Sequence, residues 1–570
     1  MDSKYDHITT EIIQSSVQAA ADEMFAAMRR TAMSAIIYEV LDMGTGITDA
    51  HGELAGSGAG IPTFVGMLDK AVRRIRSRFG STDQNASSQP HYHVINPGDV
   101  FAVNDPYQGG VTHLNDIILA RPVFAGSRMV AWTANAAHWN DVGGCMPGSM
   151  STDATDIFQE GLTLPAIKLF RNDRPVSSVM DLLAANSRMP DFLFGDLWAG
   201  VAALRVGERR IHELISRYGA DAFTHALEKY QEYGEQVSLK ALSGLPPDRF
   251  AMKEEQDNGQ VFEVTVTITP EKFEVDLRHN PPQDSGPYNL SLDGTTVAAQ
   301  MVFKSVTSPQ GVCNGGTFRP LRVLTRPGTI FEPLHPAAMG FYYETRIRLL
   351  DLIWKALATR MPDRLPAGHF GSICGTMIGG IHPDTGRQYS VIEPEMGGWG
   401  GSSRGDGNGA QFSACHGETY NCPAEITEMR NGIVVRQYAL NPEPGGDGQH
   451  RGGRGVVIDY QIRSPEAWLT AAYTRASVPP WPLRGGEHGT ANRICILRHD
   501  GGIEHHTQIT GLPLTTGDVV RIITANGAGW GSPRRRDPGK IADDLRDGYV
   551  TPDHAGHVYG YESRLLSEKL

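Results

Sequence analysis

The chain has 570 residues, 40% hydrophobic and 20% charged, with 65 glycines and 35 prolines. It is too long for one ordinary core and too apolar for a disordered chain, so a soluble globular protein of two to four domains, or one large enzyme body, is expected. Its 52 basic and 64 acidic residues give a formal charge of -12, which argues against non-specific attraction to nucleic acid.

The polar opening "MDSKYDHITTE" has no signal-peptide apolar segment, and no window nears the roughly 20 apolar residues of a membrane span. A cytoplasmic protein without a membrane partner is expected. The six scattered cysteines, with no CxxC, are expected to be reduced thiols rather than a zinc ribbon.

Apolar residues at helical spacing, Ile12, Ile13, Val17, Ala20, Met24 and Met28, predict a long amphipathic helix over 8–37. The segment "YEVLDMGTGITDAHGELAGSG", turning at Asp49-Ala50-His51-Gly52, predicts a β-hairpin. Strands are expected at "VFAVNDP", "IILARPVF" and "MVAWTANAAHW", and helices from about 179 to 243. After the linker "LSGLPPDRF" the pattern turns strand-rich, at "QVFEVTVTIT", "KFEVDL", "FRPLRVLTRPG", "RICILRH" and "DVVRIITANG", with a helix over 340–360. The whole reads as α+β: an N-terminal helix-and-strand metal-binding domain over 1–245, a strand-rich α+β region over 246–525, and a surface extension of short helices over 526–570. No repeat of 20 to 50 residues is visible.

Three stretches carry candidate chemistry. In "NDPYQGGVTHLNDIILARPVF" His113 and Asp116 stand three residues apart, and "NAAHWNDVGG" repeats the pattern with His138 and Asp141. With Asp42 and Asp105 at other strand ends, imidazole and carboxylate groups suffice for one divalent metal such as Zn, Mn or Fe. The spacing alone favours histidines that cap strands or bond to backbone.

The second stretch, 391–428, combines glycines with Glu393, Glu395, His416, Glu418, Asn421 and Glu425, and fits a substrate-cradling loop or a solvated connector. The third, "GGDGQHRGGRGVVIDY", contains no GxxxxGK[ST], and no GxGxxG opens a helix, so no nucleotide site is placed on this chain. A GxSxG elbow is also missing. The short basic cluster "SPRRRD" reads as a solvated turn.

From "MFAAMRRTAMSAII" and "PGDVFAVNDPYQGGVTHLNDIILARPVF" through "AHWNDVGG", "IFQEGLTLPAIKLF", "GDLWAGVAALRVGERR", "EPEMGGWGG", "NCPAEITE" and "GGDGQHRGGRG" to "NGAGWGSPRRRDPGKIADDLRDGYVTPDHAGHVYG", the sequence resembles the hydantoinase B/oxoprolinase family. That family includes the metal-bearing subunits of N-methylhydantoinases, caprolactamase, and acetone and acetophenone carboxylases.

The resemblance implies a divalent-metal subunit in a hetero-oligomer with a hydantoinase A-like subunit that binds ATP. The partner would phosphorylate a carbonyl oxygen or bicarbonate, and water activated at the metal would open a cyclic amide; in the carboxylase variant a ketone would be carboxylated instead. By position the metal ligands would be Asp42, His113, Asp116 and His138, with Asp141 or Glu160 as a nearby base. The family pattern "DFSCALFD" is "DMGTGITD" here, so Asp42 is kept in changed surroundings. An assembly subunit without catalysis is the alternative of another class.

Overall fold

A computed structural model describes residues 6–80, 94–311, 313–417 and 419–561. By its internal contacts the chain forms two units. The first takes the chain up to Arg249, Thr265–Arg346 and Cys415–Cys422; the second takes Phe250–Val264, Ile347–Ala414 and the chain from Pro423 onward. Among the described residues no helix is long and apolar enough to cross a membrane.

The first unit opens with α1 (His7–Thr31), whose first turn is capped by the Asp6 carboxylate and whose face from Ile13 to Met28 is buried. The helix expected over 8–37 breaks at residue 32. The physical cause is Asp196, whose Oδ1 accepts the Met33 and Ser34 backbone N–H groups at 2.8 and 3.0 Å and draws them out of the helical ladder. Helix α2 (Ala35–Tyr38) follows.

The predicted hairpin is β1 (Met43–Asp49) with β2 (Leu54–Gly60), its turn held by Asp49 Oδ1, which accepts from the His51 and Glu53 N–H groups at 2.8 Å each. After α3 (Pro62–Phe79) come β3 (Val100–Val103), β4 (Asp116–Ala125), β5 (Arg128–His138), β6 (Ile167–Arg171) and β7 (Arg174–Pro175). They form one antiparallel sheet in the order β2-β1-β5-β4-β3-β6-β7.

This sheet is covered on both faces. Trp132, Ala134 and Ala136 of β5 pack with α3 residues such as Phe64, Leu68 and Val72. The alternate residues Thr133 and Asn135 hydrogen-bond backbone carbonyls of Leu204 and Gly200 on a long helix of the expected helical zone. That zone is α4 (Ser177–Asn186), α5 (Pro190–Tyr218) and α6 (Ala220–Ser243). Beyond it lie β8 (Asp248–Glu255), β9 (Val261–Ile268), β10 (Phe273–Asp276), α7 (Leu292–Thr307) and β11 (Leu321–Leu324), with β10 and β11 parallel. Helix α8 (Tyr342–Ala358) matches the helix read at 340–360.

Among its described residues the second unit holds nine further strands: β12 (Gly375–Ile381), β13 (Gln388–Glu393), β14 (Ile433–Leu440), β15 (Val456–Ile462), β16 (Ala467–Ala472), β17 (Arg493–Leu497), β18 (Ile503–His506), β19 (Gln508–Leu514) and β20 (Val519–Ile523). Two antiparallel sheets result, β13-β12-β16-β19 and β14-β15-β20-β17-β18, sharing a core that joins Ile378 and Leu469 to Ile458, Ile494 and Ile522.

The glycine-rich motifs prove to be packing devices of this unit. A Cβ on Gly527 would lie 2.1 Å from the Trp399 carbonyl oxygen, and one on Gly452 would lie 1.9 Å from that of Gly527. The stripped backbones instead hydrogen-bond directly, Gly453 N–H to Trp399 O at 2.8 Å and Gly398 N–H to Ala525 O at 2.9 Å. Glu393, Glu395 and Glu425 belong to the second unit, whereas His416 and Asn421 belong to the first. Glu418 lies outside the described residues.

The basic cluster at 532–537 is only partly solvated. Arg534 and Arg535 are exposed, but Arg536 turns inward to Asp406 and Asp544, 2.7 Å from each carboxylate. Over 526–561, α9 (Ala424–Arg430) having preceded it, the chain adds the short helix α10 (Pro538–Arg546) and buries Ile541, Ala555 and Tyr559 together.

Candidate metal centre

The site sits where three strand ends of the first sheet meet. Asp116 is the first residue of β4 and His138 the last of β5, and the antiparallel register sets them directly opposite. Asp42 immediately precedes β1, and its carbonyl accepts the His138 backbone N–H at 3.1 Å. The chain reaches this point through Leu41 at φ 63°, a conformation that costs a branched-chain residue about 1–2 kcal/mol. Strain of that size is held only where surrounding contacts fix it.

His113 comes from the loop before β4, and that loop is pinned from several sides. Asn104 donates through Nδ2 to the Leu114 carbonyl at 2.7 Å, and Asn115 donates to the Trp139 and Gly148 carbonyls at 3.0 and 3.1 Å. Gly110, at φ +89°, lets the loop press on α3, since a Cβ there would fall 2.3 Å from Ala71 backbone atoms. Asp105 serves the same loop, accepting from the Tyr107 and Gln108 N–H groups, and does not reach the centre.

His113 Nε2, His138 Nδ1 and Asp116 Oδ1 form a closed triangle with sides of 3.1, 3.2 and 3.3 Å. All three residues are buried. Atoms bound about 2.0–2.2 Å from one cation lie roughly 3–3.5 Å apart, so the triangle has the size of a ligand set.

Its proton chemistry supports the same reading. His113 Nδ1 lies 2.9 Å from the Gly340 carbonyl, which can only accept, so Nδ1 carries the proton and the lone pair of the neutral ring is at Nε2, facing the other two donors. His138 Nε2 is buried without a hydrogen-bond partner. Two nitrogens and one oxygen suit a borderline divalent ion. His113, Asp116 and His138 would hold such an ion.

Burial alone would raise the Asp116 carboxyl, but His113 and His138 outweigh it and hold it well below the usual carboxylate range. Burial works the other way on His113, whose pKa is nonetheless raised by the Asp116 charge. Asp42 is pushed up to about 6 by burial, partly offset by His138. Asp42 thus shares the electrostatics of the triangle without its carboxylate joining it.

Sequence reading placed two carboxylates as bases, and the structure sets both in supporting positions. Asp141 accepts from the N–H groups of Gly143, Gly148 and Arg188 at 3.0–3.1 Å and from the Arg188 guanidinium at 2.9 Å. It braces the turn after β5. Glu160 accepts from Met339 N–H at 2.9 and 3.0 Å and from Gly340 N–H at 2.6 Å, and so fixes the peptide whose carbonyl orients His113. Burial pushes its carboxyl up to about 7.

Three supporting residues, Thr112, Tyr342 and Arg346, escaped the sequence reading. Thr112 donates to Asp116 Oδ2, and Tyr342 donates to the same oxygen at 3.3 Å. One helical turn on, Arg346 donates to the Tyr342 hydroxyl at 3.3 Å. His416, in a stretch quoted for other reasons, is buried here, and burial with repulsion from Arg346 pushes its pKa down to about 3. Tyr342 and Arg346 had only helical spacing to announce them.

The model of the hydantoinase B/oxoprolinase family matches residues 6–533. The chain belongs to that family. Within it, this member is 32% identical over 97% of its length to an uncharacterized protein of Methanocaldococcus jannaschii, 96% of which is covered. It is 28% identical to the B subunit of a putative D-/L-hydantoinase from a Pseudomonas species, covering 98% of this chain and 95% of that one. The crystal structure of the ATP-dependent caprolactamase from Pseudomonas jessenii superposes with a TM-score of 0.90 at 25% identity, over 98% of this chain and 97% of that one. The family assignment and the α+β body agree with the sequence reading.

Proposed function

We propose that this hydantoinase B-type chain is the metal-bearing subunit of an ATP-dependent complex that hydrolyses a cyclic amide of the hydantoin, lactam or oxoproline type. The observation that carries the reading is the buried triangle of His113 Nε2, His138 Nδ1 and Asp116 Oδ1. ATP would be held by a hydantoinase A-like partner, which accords with the lack of a phosphate-binding motif in this sequence and with a relative named as one subunit of a hydantoinase.

A resonance-stabilised amide carbonyl becomes reactive once its oxygen is phosphorylated. A divalent Zn, Mn or Fe ion held by His113, Asp116 and His138 would supply Lewis acidity there. The chain's own groups hold and orient. The Gly340 carbonyl fixes the His113 tautomer, Glu160 fixes the Gly340 peptide, and Thr112 and Tyr342 fix the second oxygen of Asp116. Asp42 adds negative charge beside them. The cytoplasm is the compartment proposed.

The test uses the purified two-subunit complex with ATP, scored for ring opening and, separately, for bicarbonate fixation into a ketone. The His113→Ala chain should lose both its metal and its ATP-dependent turnover; retention of both would sink the assignment. Ketone carboxylation in place of ring opening would move the chain to the carboxylase side. A wild-type chain that holds no metal would make it an assembly subunit.

A further inference from the structure

We propose that Arg346 is the oxyanion-binding residue of this centre, receiving a negatively charged phosphoryl oxygen of the activated substrate beside the metal. The proposal rests on the function proposed above for its substrate, but its structural basis is independent of the metal.

Arg346 is 1% exposed, yet its hydrogen-bond partners are neutral groups: Thr63 Oγ1 at 2.6 Å, Tyr342 OH at 3.3 Å and the Cys415 thiol. Its Nε is buried without an acceptor, and among the described residues no carboxylate lies within ion-pair distance of it. Other buried arginines are treated differently. Arg121 meets Glu208 at 2.8 Å, Arg475 meets Glu254 at 3.2 Å and Arg536 meets Asp406 at 2.7 Å. Arg348 likewise pairs with Glu254, and Arg454 is satisfied by two backbone carbonyls. The direct partners of this guanidinium are neutral and the Asp116 and Asp42 charges act on it only from beyond hydrogen-bond distance, so no paired anion offsets its desolvation.

Its position says which anion is wanted. The Tyr342 hydroxyl accepts from Arg346 and donates to Asp116 Oδ2, so the guanidinium stands two hydrogen bonds from the donor triangle. A planar guanidinium fork matches the paired oxygens of phosphate or carboxylate and binds them more strongly than neutral groups. An oxyanion there would be paired with the fixed positive charge of Arg346.

The experiment titrates inorganic phosphate, and in a second arm acetate, into the whole chain by calorimetry, with and without added Mn, alongside metal analysis. Wild type should bind phosphate, Arg346→Gln should weaken it at least tenfold with metal content unchanged, and Arg346→Lys should recover part of the loss. Preference for acetate would reassign the oxyanion from phosphoryl to carboxylate and overturn the phosphoryl form of the proposal. Absence of phosphate binding by wild type overturns it, as does full affinity in Arg346→Gln. Loss of metal by a folded Arg346→Gln would make the residue a support for the ligands and also overturn it. If Arg346→Gln does not fold, Arg346→Lys decides, and wild-type affinity there refutes the idea. Arg346-dependent phosphate binding by a chain that holds no metal would support this inference while the metal reading failed.

Discussion

Replacing Glu160 by Gln tests whether that residue positions the centre or acts as a base. Its carboxylate takes three N–H contacts of 2.6–3.0 Å from Met339 and Gly340, and the Gly340 carbonyl in turn takes the His113 Nδ1 proton. In Gln one acceptor oxygen becomes an NH₂ group, which sets donor against donor in a buried place. Leaving a buried amide N–H unsatisfied costs about 1–3 kcal/mol.

Released by local movement of the 339–340 peptide, that strain would be felt as misorientation of His113. Loss of a group that orients a metal ligand typically weakens affinity by about 10–100-fold, or roughly 1.4–2.7 kcal/mol, the same order as the hydrogen-bond estimate. Competition with a chelator of known affinity at pH 7.5, on the whole chain, measures it. A base would give the opposite pattern: metal affinity unchanged and turnover in the two-subunit complex down by about 10²–10⁴. That result would refute the positioning role.

Three other outcomes are expected. Asp141→Asn should lower stability by about 1–3 kcal/mol while leaving metal content intact, as followed by thermal melting and metal analysis, because its oxygens serve the turn at 143–148 and Arg188; a metal-free but equally stable variant would contradict this. Gly527→Ala should cost at least about 3 kcal/mol or prevent folding, since its Cβ would sit 2.1 Å from a carbonyl oxygen; an unchanged melting temperature would show that the loops can separate.

The pH dependence follows from His113, whose pKa is raised by Asp116 against the effect of burial. Protonated His113 therefore stabilises the metal-free chain fully below its unfolded value of about 6.5, and that contribution is lost as pH rises through the folded value. Metal requires the neutral ring. The thermal shift produced by added Mn should thus grow from pH 6 to 8, and a shift independent of pH would remove His113 from the site.

Local sequence determined a good deal of this protein. The period-3.6 pattern of α1, the alternation and turn chemistry of the β1–β2 hairpin, and the helices over 177–243 each express interactions between near neighbours, which a short window contains. The pairing of His113 with Asp116 is equally local, one turn of loop closed by Asp116 N–H on the His113 carbonyl. The number and order of the matching stretches were enough to point to the family.

Tertiary structure decided what those residues do. His138 meets Asp116 because β-sheet register places the end of β5 opposite the start of β4, and the pairing of β1 with β5 brings the Asp42 carbonyl to the His138 N–H. A carboxylate's role depends on which donors surround it, and the donors around Glu160 and Asp141 include groups from distant segments, Met339 and Gly340 for the one and Arg188 for the other. The break of α1 at residue 32 comes from Asp196, 162 residues beyond Ser34. A glycine's missing Cβ permits approach of substrate or of backbone alike, and only packing shows that backbone meets Gly398, Gly452, Gly453 and Gly527. Arg346 and Tyr342 lie 226 or more residues from the Asp116 they attend, a separation across which no periodic pattern extends. Their chemistry arises from burial and neighbours, which a linear sequence does not contain.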